Sequence, residues 1–265
     1  MGAVRGRDVS FRFGRNWKSF VTGLTEADVE QAARDLERLT GPLKDRTFLD
    51  VGCGSGLSSA AALRLGARRV DAFDLDPLCV ECAEAVLKRF APAGAAWGLQ
   101  QGSVLDSAFL AARPSAEVVY SWGVLHHTGR MWDAVAAAAG KVGPGGVFAL
   151  ALYNRMWSSG AWRAVKAACH PLPMPVQAVP AFCLCLPRAL WRAVTLRHPL
   201  RDRRGMSVWH DAVDWIGGHP YEYASAGEVE AFLAARGFRL ERVFPTRRTG
   251  CNEFAFRQGS EPVSS

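Results

Sequence analysis

A glycine-rich segment behind a short apolar run is the feature that most constrains the fold of this chain. It reads Phe48-Leu49-Asp50-Val51-Gly52-Cys53-Gly54-Ser55-Gly56, and a helix-like pattern begins directly after it. Glycine allows unusual backbone dihedrals and close approach of a ligand, and a helix N-terminus offers free N–H groups. The segment therefore predicts a buried strand, a tight turn and a helix that together form a binding site.

The spacing of the glycines and the positions of two nearby acids indicate what kind of ligand the loop binds. Dinucleotide sites use G-x-G-x-x-G to seat a pyrophosphate, whereas this loop reads G-x-G-x-G. Asp50 precedes Gly52 by two residues, where a carboxylate would repel a pyrophosphate and suits a cationic, amino-acid-bearing ligand. Asp74 ends the next apolar run, and such a carboxylate can accept hydrogen bonds from both hydroxyls of a ribose. The alternative is that either acid is a solvated strand end, but the pair flanking a glycine loop favours ligand binding.

Apolar runs alternate with helix-like segments between residues 46 and 153, which predicts βαβ units and a parallel sheet. The fold class is α/β, with a doubly wound, mostly parallel seven-stranded sheet and a helical lid insert. We expect an N-terminal helical arm over 1–45, a Rossmann-like core over 46–153 and 221–257, a lid over 154–220 and a loose tail over 258–265. The predicted strands are Thr47–Val51, Val70–Leu75, Ala96–Gln100, Glu117–Trp122, Val147–Tyr153, Arg239–Phe244 and Asn252–Arg257. The predicted helices are Thr25–Leu39, Leu57–Leu65, Pro77–Phe90, Trp132–Val142 and Ala226–Arg236.

Composition argues against a membrane-spanning protein and against a protein held together by disulfide bonds. The 265 residues contain no apolar run of the ~18 residues that span a bilayer and no signal-like N-terminus, so we expect a cytoplasmic protein without stable membrane insertion. Seven cysteines do not indicate a disulfide framework, and we expect no metal. A zinc site is the alternative interpretation of the four cysteines Cys79, Cys82, Cys183 and Cys185.

The net charge of +7 is concentrated in one region. Residues 155–210 hold nine basic residues and one acid, which gives +8 there and leaves the rest near neutral. A charge so placed creates a local field that enriches acidic partners. We therefore expect the insert to contact an anionic or membrane-associated acceptor; the alternative is a solvated basic face.

With these motifs, the chain resembles the class I S-adenosylmethionine-dependent methyltransferases over residues 46–153 and the last helix and strands. The segment Tyr120-Ser121-Trp122-Gly123-Val124-Leu125-His126-His127-Thr128 is similar to the segment after strand four in small-molecule methyltransferases. The run Val142-Gly143-Pro144-Gly145-Gly146-Val147 is similar to their turn before strand five. The resemblance implies S-adenosyl-L-methionine as the cofactor.

The resemblance also assigns cofactor-binding residues position by position. It implies that Gly52, Gly54 and Gly56 line the methionine part and that Asp74 binds the ribose. It also implies that Ser103 and Val104 flank the adenine and that Ser121 and Trp122 sit beside the sulfonium. Ser103 stands where an aspartate is more usual, so the adenine contact is left between its backbone and Asp106. The implied set is Trp17, Asp50, Gly52, Cys53, Gly54, Gly56, Asp74, Leu75, Ser103, Val104, Ser121 and Trp122, with Trp17 either closing over the cofactor or packing the N-terminal arm.

Candidate acceptor-side residues follow the fourth and fifth strands and lie in a later cluster. His127 follows strand four and is a candidate base, since neutral imidazole takes a proton near physiological pH; the alternative is that it only hydrogen-bonds the loop. Tyr153 leaves strand five, and His210 and Asp211 lie in a cluster over 207–222 that is either a pocket wall or a packed helix. We predict methyl transfer to an O or N of a small molecule. An RNA methyltransferase that grips phosphates with the basic insert is the alternative, and an inactive cofactor-binding scaffold is a third.

Overall fold

The computed structural model describes residues 17, 20–169, 219–246 and 250–259. They form one seven-stranded sheet with strand order β3-β2-β1-β4-β5-β7-β6. The strands are β1 Thr47–Val51, β2 Arg69–Asp74, β3 Trp97–Gln101, β4 Ala116–Trp122, β5 Val142–Tyr153, β6 Phe238–Phe244 and β7 Cys251–Gln258. The helices are α1 Glu26–Thr40, α2 Leu57–Arg64, α3 Pro77–Phe90, α4 Ser107–Ala111, α5 Met131–Ala139, α6 Ser159–Cys169 and α7 Ala226–Ala234, with a 3₁₀ turn at Leu125–His127.

The sheet is parallel except at one edge. Strands β1 to β5 pair in parallel, and β7 pairs antiparallel with both β5 and β6. The strand order reverses between β1 and β4, and open α/β sheets bind their ligands at such a switch point, outside the carboxyl ends of the strands. The doubly wound, mostly parallel fold is confirmed.

Helices cover both faces of the sheet, as the apolar pattern requires. One buried cluster includes α1, α2 and one face of the strands, and a second includes α5, α7 and the opposite face. Helix α1 begins with a capping box, in which Thr25 and Asp28 satisfy each other's backbone amides. Its buried residues Val29, Ala33, Leu36 and Leu39 recur at helical spacing and hold it against the sheet.

The predicted elements agree closely with the observed ones, with three corrections. Strand β1 and helix α3 have the predicted bounds, and every other predicted end lies within three residues of the observed one except the start of β5. Strand β5 begins at Val142, because the stretch predicted as a turn pairs with β4 through an irregular register. The short helix α4 was not predicted, and β7 extends to Gln258, a residue the sequence assigned to the tail.

Part of the expected lid lies within the residues that the structure describes. Helix α6 covers Ser159–Cys169, and residues 170–218 lie outside the described residues, together with the candidates His210 and Asp211. Cys79 and Cys82 are buried on α3, while Cys183 and Cys185 also lie outside. In the described ranges, no helix is both long and apolar enough to cross a bilayer, and no three His, Cys, Asp or Glu side chains group as metal ligands.

Candidate functional site

The glycine loop between β1 and α2 has a backbone that only glycine can adopt. Gly52 has a φ of 76°, and a Cβ there would lie 2.4 Å from Cγ1 of Val124. Gly56 has a φ of 78°, and a Cβ there would lie 2.6 Å from Cα of Ala83. Both positions therefore exclude side chains for two independent reasons, and the bare backbone of the loop faces the carboxyl edge of the sheet.

Asp50, at the end of β1, is a buried carboxyl group with a strongly perturbed ionisation. It is 2% exposed and accepts a 2.6 Å hydrogen bond from Oγ of Ser59. Burial raises the pKa of Asp50 to about 7; the Ser59 bond opposes this shift and the charge of Asp74 adds to it. A cationic ligand group beside Asp50 would favour its charged form, which fits the amino-acid part of the expected cofactor.

Asp74, at the end of β2, shapes the loop from the other side. Its Oδ2 accepts the amide of Gly54 at 2.9 Å, and its Oδ1 accepts the amide of Asp76 at 3.0 Å. Burial raises the pKa of Asp74, and these backbone bonds oppose the rise. Each carboxylate oxygen keeps a second lone pair for a ribose hydroxyl. The next residue, Leu75, is 44% exposed at the same edge.

The residues after β3 hold the two adenine-side candidates in different local hydrogen bonds. Asp106 caps α4, because its Oδ1 accepts the amide of Phe109 at 3.0 Å. Oγ of Ser103 accepts the amide of Leu105 at 3.1 Å, and Val104 is buried. Asp106 thus uses one carboxylate oxygen as a helix cap, and both candidates for the adenine contact stay predictions.

Three further cofactor-side candidates lie around the same loop. The indole of Trp17 lies 3.6 Å from the position of a Cβ on Gly54, so Trp17 covers the loop. Cys53 is buried within it, and burial raises the pKa of its thiol. Ser121 is fully buried and its hydroxyl donates to the carbonyl of Val51 at 2.9 Å, so it joins β4 to β1. The bare loop, with its paired carboxyl groups, fits a cofactor that carries an amino acid and a ribose.

A cluster of imidazole and phenol rings lies at the carboxyl ends of β4 and β5. The ring centres of His127 and Tyr153 are 5.4 Å apart, and those of His126 and Tyr153 are 3.9 Å apart. The ring of Tyr221 also lies in this cluster, with its centre 5.0 Å from the ring centre of Tyr153. The structure therefore brings together two sequence candidates, His127 and Tyr153, with a residue from the later cluster.

His127 is held in one tautomer and is neutral at physiological pH. Its Nδ1 lies 2.7 Å from the carbonyl oxygen of Pro220, so Nδ1–H donates and Nε2 keeps its lone pair. Burial, together with the charge of Lys166, lowers the pKa of His127 to about 3. The hydrogen bond expected as an alternative role for this residue is therefore present.

His126 is a buried ring that sequence reasoning did not select. It is 1% exposed, and burial, with the charges of His127 and Lys166, lowers its pKa well below the usual value. The amide of Tyr153 donates to its Nδ1 at 3.4 Å, and its Nε2 has no hydrogen-bond partner within the described residues.

The segment that returns to the core fixes the loop after β4. The amide of Glu222 donates to the carbonyl of His126, and the carboxylate of Glu222 accepts the amide of Met131 at the start of α5. From α6, the buried Lys166 places its Nζ 4.6 Å from the ring centre of Tyr221, whose pKa burial raises to about 12. The 207–222 cluster was predicted from the sequence as a possible pocket wall, but no motif indicated Lys166 as a site residue.

Comparison with protein families and curated sequences finds relatives of the segment that contains the glycine loop. A family model described as ribosomal protein L11 methyltransferase (PrmA) matches residues 31–91. The ribosomal protein L11 methyltransferase of Cyanothece sp. (strain PCC 7425 / ATCC 29141) is 47% identical over 60 residues, or 23% of this chain and 20% of the relative. That of Bacillus cereus (strain Q1) is 48% identical over 66 residues, or 25% and 20%. The chain spans about a fifth of the length of these curated relatives.

Comparison with solved structures extends over nearly the whole chain. Magnesium protoporphyrin IX methyltransferase (ChlM) from Synechocystis PCC 6803, with bound SAH, matches with a TM-score of 0.57 and 13% identity, covering 92% of this chain and 94% of that one. An O-methyltransferase family protein from Burkholderia thailandensis matches with a TM-score of 0.56 and 16% identity, covering 92% and 60%. At these identities the two structures establish the fold alone.

Proposed function

We propose that this chain, which is a class I S-adenosylmethionine-dependent methyltransferase, methylates an oxygen or nitrogen of a small molecule with His127 as the base. The observation that carries the proposal is the cluster of His126, His127, Tyr153 and Tyr221 at the carboxyl ends of β4 and β5. Buried aromatic walls with a few polar atoms are typical of small-molecule pockets. When bound, the cofactor would supply a methyl group activated by its cationic sulfonium, and the acceptor's lone pair would bond to the methyl carbon as the carbon–sulfur bond breaks and leaves a neutral thioether.

His127 has the geometry of a proton acceptor but weak basicity. The carbonyl of Pro220 accepts its Nδ1–H, which makes Nε2 the ring nitrogen that can take up a proton. Because its pKa is about 3, it removes a proton poorly from a neutral alcohol. It can still receive the proton of an oxygen that has become cationic on methylation, because an oxonium is a much stronger acid than the imidazolium. We therefore infer that proton transfer follows or accompanies methyl transfer.

Tyr153 is the second acceptor-side residue, and its role is to form the wall rather than to take a proton. Its ring packs between His126 and Tyr221, and the Nζ of Lys166 lies 5.2 Å from its ring centre. A phenol beside a buried cation can donate a hydrogen bond to an acceptor oxygen. The predicted roles of His210 and Asp211, the lid over 154–220 and its contact with an anionic or membrane-associated acceptor remain predictions, as does a cytoplasmic location.

A protein acceptor is the second candidate, because the curated relatives are named ribosomal protein L11 methyltransferases. The matched residues 31–91 hold the glycine loop, Asp50 and Asp74, and they stop before the ring cluster. The match therefore supports the cofactor site and does not extend to the acceptor side. The RNA alternative depends on the charge of residues 155–210, of which 170–210 lie outside the described residues.

A methyl-transfer assay with labelled cofactor separates these acceptors. The protein is incubated with a low-molecular-mass cell fraction, purified bacterial ribosomal protein L11 or total RNA, and methyl incorporation into each is counted. We expect incorporation into the low-molecular-mass fraction. Transfer to L11 or RNA without transfer to that fraction contradicts the proposal.

Substitution of His127 tests the base. His127→Ala should lower turnover by roughly 10²–10⁴-fold, the usual contribution of a positioned base, while affinity for the cofactor is unchanged. Arg130→Ala is the matched control, since Arg130 lies in the same loop but forms an exposed ion pair with Asp133. Equal turnover in the two variants would exclude His127 as the base.

A further inference from the structure

A buried carboxylate on β7 links the N-terminal helix to the end of β4. Glu253 is 8% exposed, and its Oε1 accepts a 3.1 Å hydrogen bond from the indole N–H of Trp122. Its Oε2 accepts a 2.6 Å bond from Arg38 on α1, whose guanidinium lies 3.9 Å from the ring centre of Phe244. The three side chains are separated by 215 and 131 positions in sequence, so the fold alone brings them together.

Trp122 stands at the edge of the cofactor site. Tyr120 pairs with Asp50 in the parallel register of β4 and β1, and the Ser121 hydroxyl bonds the carbonyl of Val51. Extending this register by two positions sets Trp122 opposite Gly52, the first glycine of the loop. Trp122 also packs in the same apolar cluster as Trp17, the residue that covers the glycine loop.

The face of an indole attracts cations, because its π-electrons carry negative charge. A carboxylate that accepts the indole N–H fixes the ring, since a charge-assisted hydrogen bond is about twice as strong as a neutral one. The same bond increases the electron density of the ring and adds a negative charge behind it. S-adenosylmethionine has a positive sulfonium and S-adenosylhomocysteine a neutral sulfur, so such a ring distinguishes the two.

We propose that Glu253 is a positioning residue that acts through Trp122 to make the site prefer the charged cofactor over its demethylated product. Arg38 partly offsets the charge of Glu253 and thereby limits this preference. The preference promotes product release after each methyl transfer. It is independent of which acceptor is methylated.

Calorimetric titration with S-adenosylmethionine and S-adenosylhomocysteine tests the proposal without any acceptor. Glu253→Gln should weaken binding of S-adenosylmethionine by roughly 3- to 10-fold, the range of a cation–π contact, and that of S-adenosylhomocysteine by less than about twofold. Glu241→Gln is the matched control, because it breaks an ion pair with Arg257 on the same pair of strands. It should leave both affinities unchanged.

Two further variants test the proposal if Glu253→Gln destabilises the pairing of β7. Arg38→Met leaves the bond between Glu253 and Trp122 in place and should raise the preference for S-adenosylmethionine or leave it unchanged. Trp122→Phe should reduce the preference, and adding Glu253→Gln to Trp122→Phe should reduce it no further. Equal weakening of both ligands by Glu253→Gln, or a lower preference in Arg38→Met, overturns the proposal.

Discussion

Cofactor binding near neutral pH should release protons from Asp50, because burial holds the pKa of this carboxyl group at about 7. At pH 7 about half of the ligand-free molecules then carry a proton on Asp50. A bound ammonium group beside the carboxylate favours its charged form and returns the pKa toward its ordinary value. About 0.5 proton should therefore leave per bound cofactor at pH 7, rising to about 1 near pH 5.5 and falling toward zero above pH 8.

The same linkage makes cofactor affinity depend on pH with a defined sign. Because binding releases a proton, a lower pH opposes binding, and the affinity should fall by up to about tenfold per pH unit below 7. Above about pH 8 Asp50 is already ionised, so its contribution to the pH dependence disappears. The hydroxyl of Ser59 bonds the carboxyl group from within the protein and should keep it in place in both states.

Calorimetry in buffers of different ionisation enthalpy counts the released protons directly. The difference between wild type and Asp50→Asn isolates this carboxyl group from protons gained or lost by the ligand. Asp45→Asn is the control, since Asp45 is exposed and its φ of 61° suits asparagine. Equal proton release by wild type and Asp50→Asn at pH 7 would refute the assignment of this pKa and of the contact behind it.

Three further perturbations follow from the site. Gly52→Ala should weaken cofactor binding by roughly 1–3 kcal/mol more than Gly123→Ala in a titration, because both have positive φ but only the former meets Val124. Asp74→Ala should cost roughly 1.5–3 kcal/mol of cofactor affinity by calorimetry, and an unchanged affinity would place the ribose elsewhere. The pKa of His127 is lowered in the folded state, so stability should decline as pH falls from 6.5 toward 3, by up to ~1.4 kcal/mol per unit. Urea unfolding checks this prediction: His127→Gln should lack that part of the decline, and identical curves for both proteins would contradict it.

The strand, turn and helix around the glycine loop could be predicted from the sequence because their signals are local. The run of Asp50 and alternating glycines fixed a strand, turn and helix within a few residues, and β1 was predicted with its observed bounds. Asp74 followed the next strand for the same reason. Each of these residues acts through its own backbone segment, so spacing along the chain carries the information.

The acceptor side could be predicted only in part, because its contacts join distant segments. His127 and Tyr153 were selected from their positions after strands. Nothing in the sequence indicated that Pro220 would fix the tautomer of His127, or that Lys166 would lie against the aromatic wall. The bond between Glu253 and Trp122 had no local signal either, since it depends on β7 entering the sheet between β5 and β6.

The segment that leaves β5 and returns at Ala224 has its two ends hydrogen-bonded to each other at the sheet. The amide of Ala224 donates to the carbonyl of Tyr153, and the amide of Arg155 donates to the carbonyl of Ala224, each at 3.0 Å. The entropy of closing such a loop grows slowly, by only ~0.6 kcal/mol for each doubling of its length. Changes in the length of the chain between Cys169 and His219, which spare the contacts of Pro220 and Glu222, should thus leave the folding of the sheet nearly unaffected. On the proposed function, exchange of this stretch is a route to altered substrates on an unchanged glycine-loop module.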